Sequence, residues 1–175
     1  MRNDTPEQVL DLRSVFGVEA RVTMPSAATG GAYVEMECTV QPGSGSMIHY
    51  HPHQEETYRV LEGTLEVFRE GTWHPVQTGE SLTVPQGAVH AFRNASSTPA
   101  TFLNVHRPAL AFQDHLETLD RLIRSGKVRG TKDPRSLIYM SMSAVKHRPD
   151  VAVKPPQVVV NLMAWLGRRL RFTLD

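Results

Sequence analysis

Between residues 43 and 63 the chain reads GSGSMIHYHPHQEETYRVLEG, and between 79 and 94 it reads GESLTVPQGAVHAFRN. These two stretches decide the fold. Each opens on a turn-forming glycine, Gly43 or Gly79, and each carries histidine at a defined distance beyond it. His49 and His51 are two apart, so on an extended strand both imidazoles point to one face. His53 shares that parity, but Pro52 bends the chain before it. Glu56 has the opposite parity to His51 in a continuous strand, so a turn around residues 52–54 must swing it back beside the histidines. Past that bend, Glu56, Tyr58 and Val60 share a face. His90 is remote in sequence and arrives through the fold, with the turn Pro85-Gln86-Gly87 starting its strand and Phe92 and Asn94 on the same face. Imidazole nitrogens with one carboxylate form a ligand set for a divalent transition ion.

Working outward, residues 31–107 read as short strands separated by turns, as in an all-β barrel or sandwich. Residues 32–40 alternate cleanly, with Val34, Met36, Cys38 and Val40 on one face and Tyr33, Glu35, Glu37 and Thr39 on the other. Glu62-Gly63-Thr64 marks a hairpin, and Glu70-Gly71-Thr72 and Thr78-Gly79-Glu80 mark further turns. Strands follow at 81–84, 89–93 and 100–105, for a barrel of roughly eight strands. Residues 1–30 are an N-terminal segment with no assigned strand.

After Pro108 the period becomes helical. Phe112, Leu116, Leu119, Leu122 and Ile123 predict a helix over 109–124. Asp133-Pro134 is a capping residue followed by a first-turn proline, opening a second helix to about Val145. Pro155-Pro156 opens a third through Val159, Leu162, Met163 and Leu166. Residues 108–175 therefore form a C-terminal helical extension, packed on the barrel or at a dimer interface.

Gly43, His49, His51, Glu56 and Gly63, followed by Gly79, Pro85, Gly87, His90 and Asn94, resemble the paired signature motifs of the cupin family, with agreement at all ten positions. The resemblance spans about Tyr33 to Arg107. It implies a mainly β, double-stranded β-helix (jelly-roll) barrel holding a divalent transition metal (Fe, Mn, Ni, Zn or Cu) through His49, His51, Glu56 and His90. It also implies a homodimer.

Bulk composition agrees with one soluble domain: 175 residues, 40% hydrophobic, 21% charged and a net charge of +1. That balance argues against a nucleic-acid surface, and no apolar run is long enough for a membrane span. The polar N-terminus and the lone cysteine, Cys38, lead us to expect a cytoplasmic protein. Cys38 lies in an alternating strand and reads as a buried hydrophobe.

A small-molecule substrate or ligand is expected inside the barrel. His53, Tyr58, Phe92 and His106 are candidates for its pocket, and Glu56 is a candidate catalytic base as well as a ligand. His74, His115 and His147 are assigned no chemistry, and Arg168, Arg169 and Arg171 read as a solvated helix end. The expected function is a metal-dependent enzyme with dioxygenase-like or isomerase-like chemistry. The alternative is a non-catalytic small-molecule binding or sensing module with a structural metal.

Overall fold

Residues 8–147, 152–153 and 157–175 are described in the structure, a computed structural model. The chain is mainly β, a double-stranded β-helix barrel followed by helices. One sheet has six strands in the order β1 (Gln8–Leu12), β2 (Val18–Met24), β3 (Val34–Val40), β10 (Ala100–Arg107), β5 (Glu55–Glu62) and β8 (Ser81–Val84). The other has five, in the order β11 (Ala152–Val153), β4 (His49–Tyr50), β9 (His90–Arg93), β6 (Thr64–Arg69) and β7 (Thr72–Gln77). All pairings are antiparallel.

Alternation in sequence becomes alternation in burial. On β3, Val34, Met36, Cys38 and Val40 face the core. Glu35 and Glu37 face outward, where Thr23 bonds Glu35 and Arg21 pairs with Glu37. On β10, Ala100, Phe102, Asn104 and His106 point inward. Phe102 packs against Tyr58 and Phe92 with ring centres 5.8 and 5.3 Å away. The β5–β6 hairpin turns at Gly63, whose φ of 79° lies in the left-handed region, where glycine carries no Cβ penalty.

Two findings differ from the sequence reading. Residues 1–30 are not devoid of strands: β1 and β2 extend the six-stranded sheet and bury Leu10, Leu12, Val18 and Ala20 in the barrel core. Their alternation is short and is interrupted by a single turn of helix, α1 (Arg13–Phe16), which hides it in the sequence. The first long helix, α2 (Phe112–Arg124), begins three residues later than expected. The amide of Phe112 bonds the carbonyl of Ala109 in a separate turn before it.

The second helix, α3 (Pro134–Lys146), starts as predicted. The Asp133 carboxylate accepts from the backbone amides of Arg135 and Ser136. The third, α4 (Gln157–Arg169), packs on α3 at Gly167; a Cβ there would lie 2.4 Å from the Met142 sulfur. The prolines expected to open α4, Pro155 and Pro156, lie outside the described residues. Val158, Leu162 and Trp165 on α4 are exposed. Among the described residues no helix is long and apolar enough to cross a membrane.

Candidate metal centre

Strand register brings the four expected ligands together. His49 on β4 lies directly across from His90 on β9 in the five-stranded sheet. Glu56 on β5 lies across from His106 on β10 in the six-stranded sheet. His51 stands between the sheets, in the segment linking β4 to β5. The bend at residues 52–54 forms as required, and Glu56, Tyr58 and Val60 all face inward.

The non-ligand motif residues hold the two stretches to each other. The amide of Gly87 donates to the His51 carbonyl at 2.9 Å, and that of Gly43 donates to the Asn94 carbonyl at 2.8 Å. The Asn94 side-chain amide donates to the carbonyls of Val40 and Thr98. Gln54, which the sequence reading passed over, is buried and donates to the Pro108 and Ala109 carbonyls, both at 2.8 Å. That ties the ligand-bearing bend to the start of the helical extension.

The three imidazoles converge on one carboxylate oxygen. The Nε2 atoms of His90, His51 and His49 lie 2.6, 3.3 and 4.0 Å from Glu56 Oε2. One donor atom from each of the four residues can be chosen so that all lie within 4.8 Å of one another. Bonds of about 2.0–2.2 Å to a common ion would place opposite donors about 4 Å apart. Side-chain shifts of a few tenths of an ångström close the difference.

His49 Nδ1 lies 2.8 Å from the Met47 carbonyl and His90 Nδ1 lies 2.8 Å from that of Ala88. A carbonyl only accepts, so each Nδ1 carries a proton. That leaves His49 Nε2 with a lone pair facing the site, while His90 Nε2 donates to Glu56 Oε2 and would have to give up that proton to bind a cation. Burial, reinforced by the neighbouring His90 and His51 rings, pushes the pKa of His49 down to about 3. At His90 burial acts in the same direction, but the hydrogen bond and charge of Glu56 outweigh it and raise the pKa.

Glu56 is anchored through its other oxygen. Asn104 Nδ2 donates to Oε1 at 2.8 Å, and His106 Nε2 lies 3.3 Å from the same atom. His106 Nε2 also donates to Asn104 Oδ1 at 2.9 Å. Burial alone would raise the Glu56 pKa, yet His106, His51 and His90 outweigh it and hold the carboxyl well below its usual range. Asn104 is a site residue that the sequence reading missed. Its signal was parity: it lies between Phe102 and His106 on the inward face of β10.

The other pocket candidates separate. Phe92 lines the cavity beside the cluster. His106 is fully buried behind Glu56, stacked on Phe112 with ring centres 3.5 Å apart. Tyr58 is fully buried as an aromatic core residue and does not line the cavity. His53 is exposed, near Gln86 on the outside of the bend, because Pro52 turns the chain away from the site.

A cavity of about 240 Å³ opens from His49, His51 and Glu56. Its barrel side is lined by Phe16, Cys38, Phe92 and Phe102. Its other side is made by Phe112, Leu116 and Leu119 of α2, with Met140 of α3 and Met163 of α4. The helices therefore complete the cavity wall. Among the described residues no lysine or arginine lines it. Cys38 also lines it, but burial pushes its thiol up and keeps it protonated.

The family model for the cupin domain matches residues 36–106. The chain is similar to protein SchB of Streptomyces halstedii, 32% identical over 106 residues, covering 58% of this chain and 76% of that protein. It is similar to polyketide synthase CurC of Streptomyces cyaneus, 35% identical over 81 residues, covering 46% of this chain and 52% of that one. It thus spans about half the length of CurC. Among solved structures, it is similar to a sugar phosphate isomerase of the cupin superfamily from Silicibacter pomeroyi. That similarity has a TM-score of 0.50 and 25% identity, and covers 59% of this chain and 71% of the other.

Proposed function

Because the chain belongs to the cupin family, we propose that His49, His51, Glu56 and His90 hold one divalent transition metal ion and that the protein is an enzyme acting on a small, largely apolar, oxygen-bearing molecule. The observation that carries this reading is the placement of three members of the four-residue cluster, His49, His51 and Glu56, on the wall of a largely apolar cavity. A bound divalent ion supplies Lewis acidity toward a substrate oxygen and, when redox-active, electrons for dioxygen chemistry.

The chain's own residues do the rest. The Met47 and Ala88 carbonyls fix the rings of His49 and His90, while Asn104 and His106 fix Glu56. A carboxylate so strongly favoured in its charged form is a weak proton acceptor, which favours Glu56 as ligand over Glu56 as base. The aromatic and aliphatic walls exclude water and orient an apolar skeleton by shape.

The relatives' names point in two directions, a polyketide synthase and a sugar phosphate isomerase. Buried phosphate recognition calls for arginine or lysine, and the cavity wall has neither among the described residues. Its chemistry favours a polyketide-like aromatic or alicyclic ketone or phenol over a phosphorylated sugar. The reaction is dioxygenase-like or isomerase-like.

The test is to strip the protein with a chelator and reload it with Mn²⁺, Fe²⁺, Ni²⁺, Cu²⁺ or Zn²⁺ singly. Metal content, oxygen uptake and product formation are then measured against a panel of hydroxylated aromatic ketones and a panel of sugar phosphates. One ion per chain in the wild type, lost in His90→Ala, with turnover confined to the first panel, is the expected result. Oxygen uptake separates the two reaction classes. No ion bound, or turnover of the sugar phosphates alone, overturns the reading.

A further inference from the structure

The helical wall of the cavity contains a polar relay for which the proposed chemistry has no use so far. His115, on the first turn of α2, lies one turn beyond Phe112 and is 8% exposed. It lines the cavity. Behind it stand Ser143 of α3 and His147, the residue that follows α3.

The proton positions in this relay follow from which atoms can only accept. His147 Nδ1 lies 3.0 Å from the Ser143 carbonyl oxygen, so Nδ1 carries the proton and donates it there. Ser143 Oγ lies 3.1 Å from His115 Nδ1 and 3.4 Å from His147 Nδ1. His147 Nδ1, which carries a proton, also lies 3.4 Å from His115 Nδ1; a second N–H there would face the first, so His115 Nδ1 is the acceptor and the hydroxyl proton of Ser143 goes to it. A neutral His115 must then carry its own proton on Nε2. Burial, with the nearby His147 and His51 rings, keeps the imidazole neutral by lowering its pKa to about 3. Among the described residues Nε2 of His115 makes no hydrogen bond. An N–H on the wall of a largely apolar cavity gains a hydrogen bond when a guest supplies the acceptor.

We infer that His115 is a substrate-binding residue, whose Nε2–H donates a hydrogen bond to a carbonyl or phenol oxygen of the bound molecule from the helical side of the cavity. Ser143 and His147 are positioning residues that lock the Nε2–H tautomer. The inference rests on the cavity being the small-molecule site. It adds a second polar contact to a molecule whose other oxygen is directed to the metal cluster, and it gives the helical extension a part in substrate selection. Sequence reading could not find it, because an isolated histidine at helical spacing carries no signal until α3 places a serine behind it.

The test compares two probes of one shape, 1-tetralone and tetralin, which differ by a ketone oxygen. Affinities are measured by calorimetry in the metal-free wild type and in metal-free His115→Phe, which keeps a ring and removes the N–H, so that no metal competes for the single ketone oxygen. The ketone should bind the wild type about three- to tenfold more tightly than the hydrocarbon, and His115→Phe should erase that preference while still binding tetralin. Nitrogen-15 spectra should show the Nε2–H tautomer at His115 and a shift at Nε2 with tetralone but not with tetralin. Ser143→Ala should release the tautomer and reduce the preference. A ketone preference that survives in His115→Phe overturns the role of His115 and leaves the cavity reading intact. Failure of both probes to bind the wild type overturns the cavity reading and this inference together.

Discussion

Replacing Asn104 with leucine tests the centre at its least obvious member. The side chain is 5% exposed and makes two hydrogen bonds, one to the Glu56 carboxylate at 2.8 Å and one from His106 at 2.9 Å. A buried bond to a charged group contributes about 1.5–3 kcal/mol, and a neutral one about 0.5–1.5 kcal/mol. Leucine keeps the branched four-atom shape and removes both. His106 Nε2, already 3.3 Å from Glu56 Oε1, can turn to the carboxylate and recover part of the loss. The expected cost is therefore about 2–3 kcal/mol in the metal-free protein. For a chain of this length that lowers the midpoint of thermal unfolding by about 4–12 °C. Metal affinity, read by competition with a chelator, should fall about 10- to 100-fold, because the ligand carboxylate loses the group that orients it. Asn104→Asp should be worse at neutral pH, since it sets a second carboxylate against Glu56, and should partly recover in mild acid. A stability loss below about 0.5 kcal/mol together with unchanged metal affinity would refute the argument that Asn104 positions Glu56.

The metal-free protein should lose stability as the pH falls below about 6.5. His49, His106 and His115 have pKa values near 3, 4 and 3, all pushed down first by burial. Their unfolded forms therefore take up protons in a range where the folded forms do not, and each ring contributes stability that drains away between about pH 6.5 and its folded value. The raised pKa of His90 works the other way for one group only. The unfolding free energy from urea titration should be lower at pH 5 than at pH 7.5, by about 1–2 kcal/mol for each of the three rings before the His90 offset; equal values would contradict the burial of neutral imidazoles. Gly45→Ala should disturb the site without touching a ligand, because its Cβ would lie 2.1 Å from the Phe92 carbonyl oxygen and 2.7 Å from Arg93 Cα. Those are backbone atoms of β9, the strand that carries His90. A loss of about 1–3 kcal/mol and weaker metal binding are expected in thermal unfolding and metal titration, and wild-type values in both would show that β9 tolerates the displacement.

Much of the site was legible because strand geometry has a period of two. His49 and His51 share a parity, the proline after them demands a bend, and glycines at fixed offsets mark where the chain reverses. The amphipathic pattern from Phe112 and the Asp133-Pro134 cap likewise announced α2 and α3. Less was legible where the signal depends on a distant neighbour. The strands β1 and β2 are short and broken by a helical turn, so only their pairing with β3 reveals them. The parity that grouped His53 with His51 is overridden by the bend, which leaves His53 in solvent.

By itself, then, the sequence determined short strands with His49 and His51 on one face, because local backbone geometry settles which side chains share a face, and its resemblance to the cupin motifs implied the barrel and the meeting of Glu56 and His90 with them. Only the tertiary structure decided that Asn104 holds that carboxylate and that His115 reaches the same cavity. It also decided that the helical extension forms part of the cavity wall. Those outcomes depend on register between strands and on the docking of helices, contacts between residues far apart in the chain that no local pattern encodes.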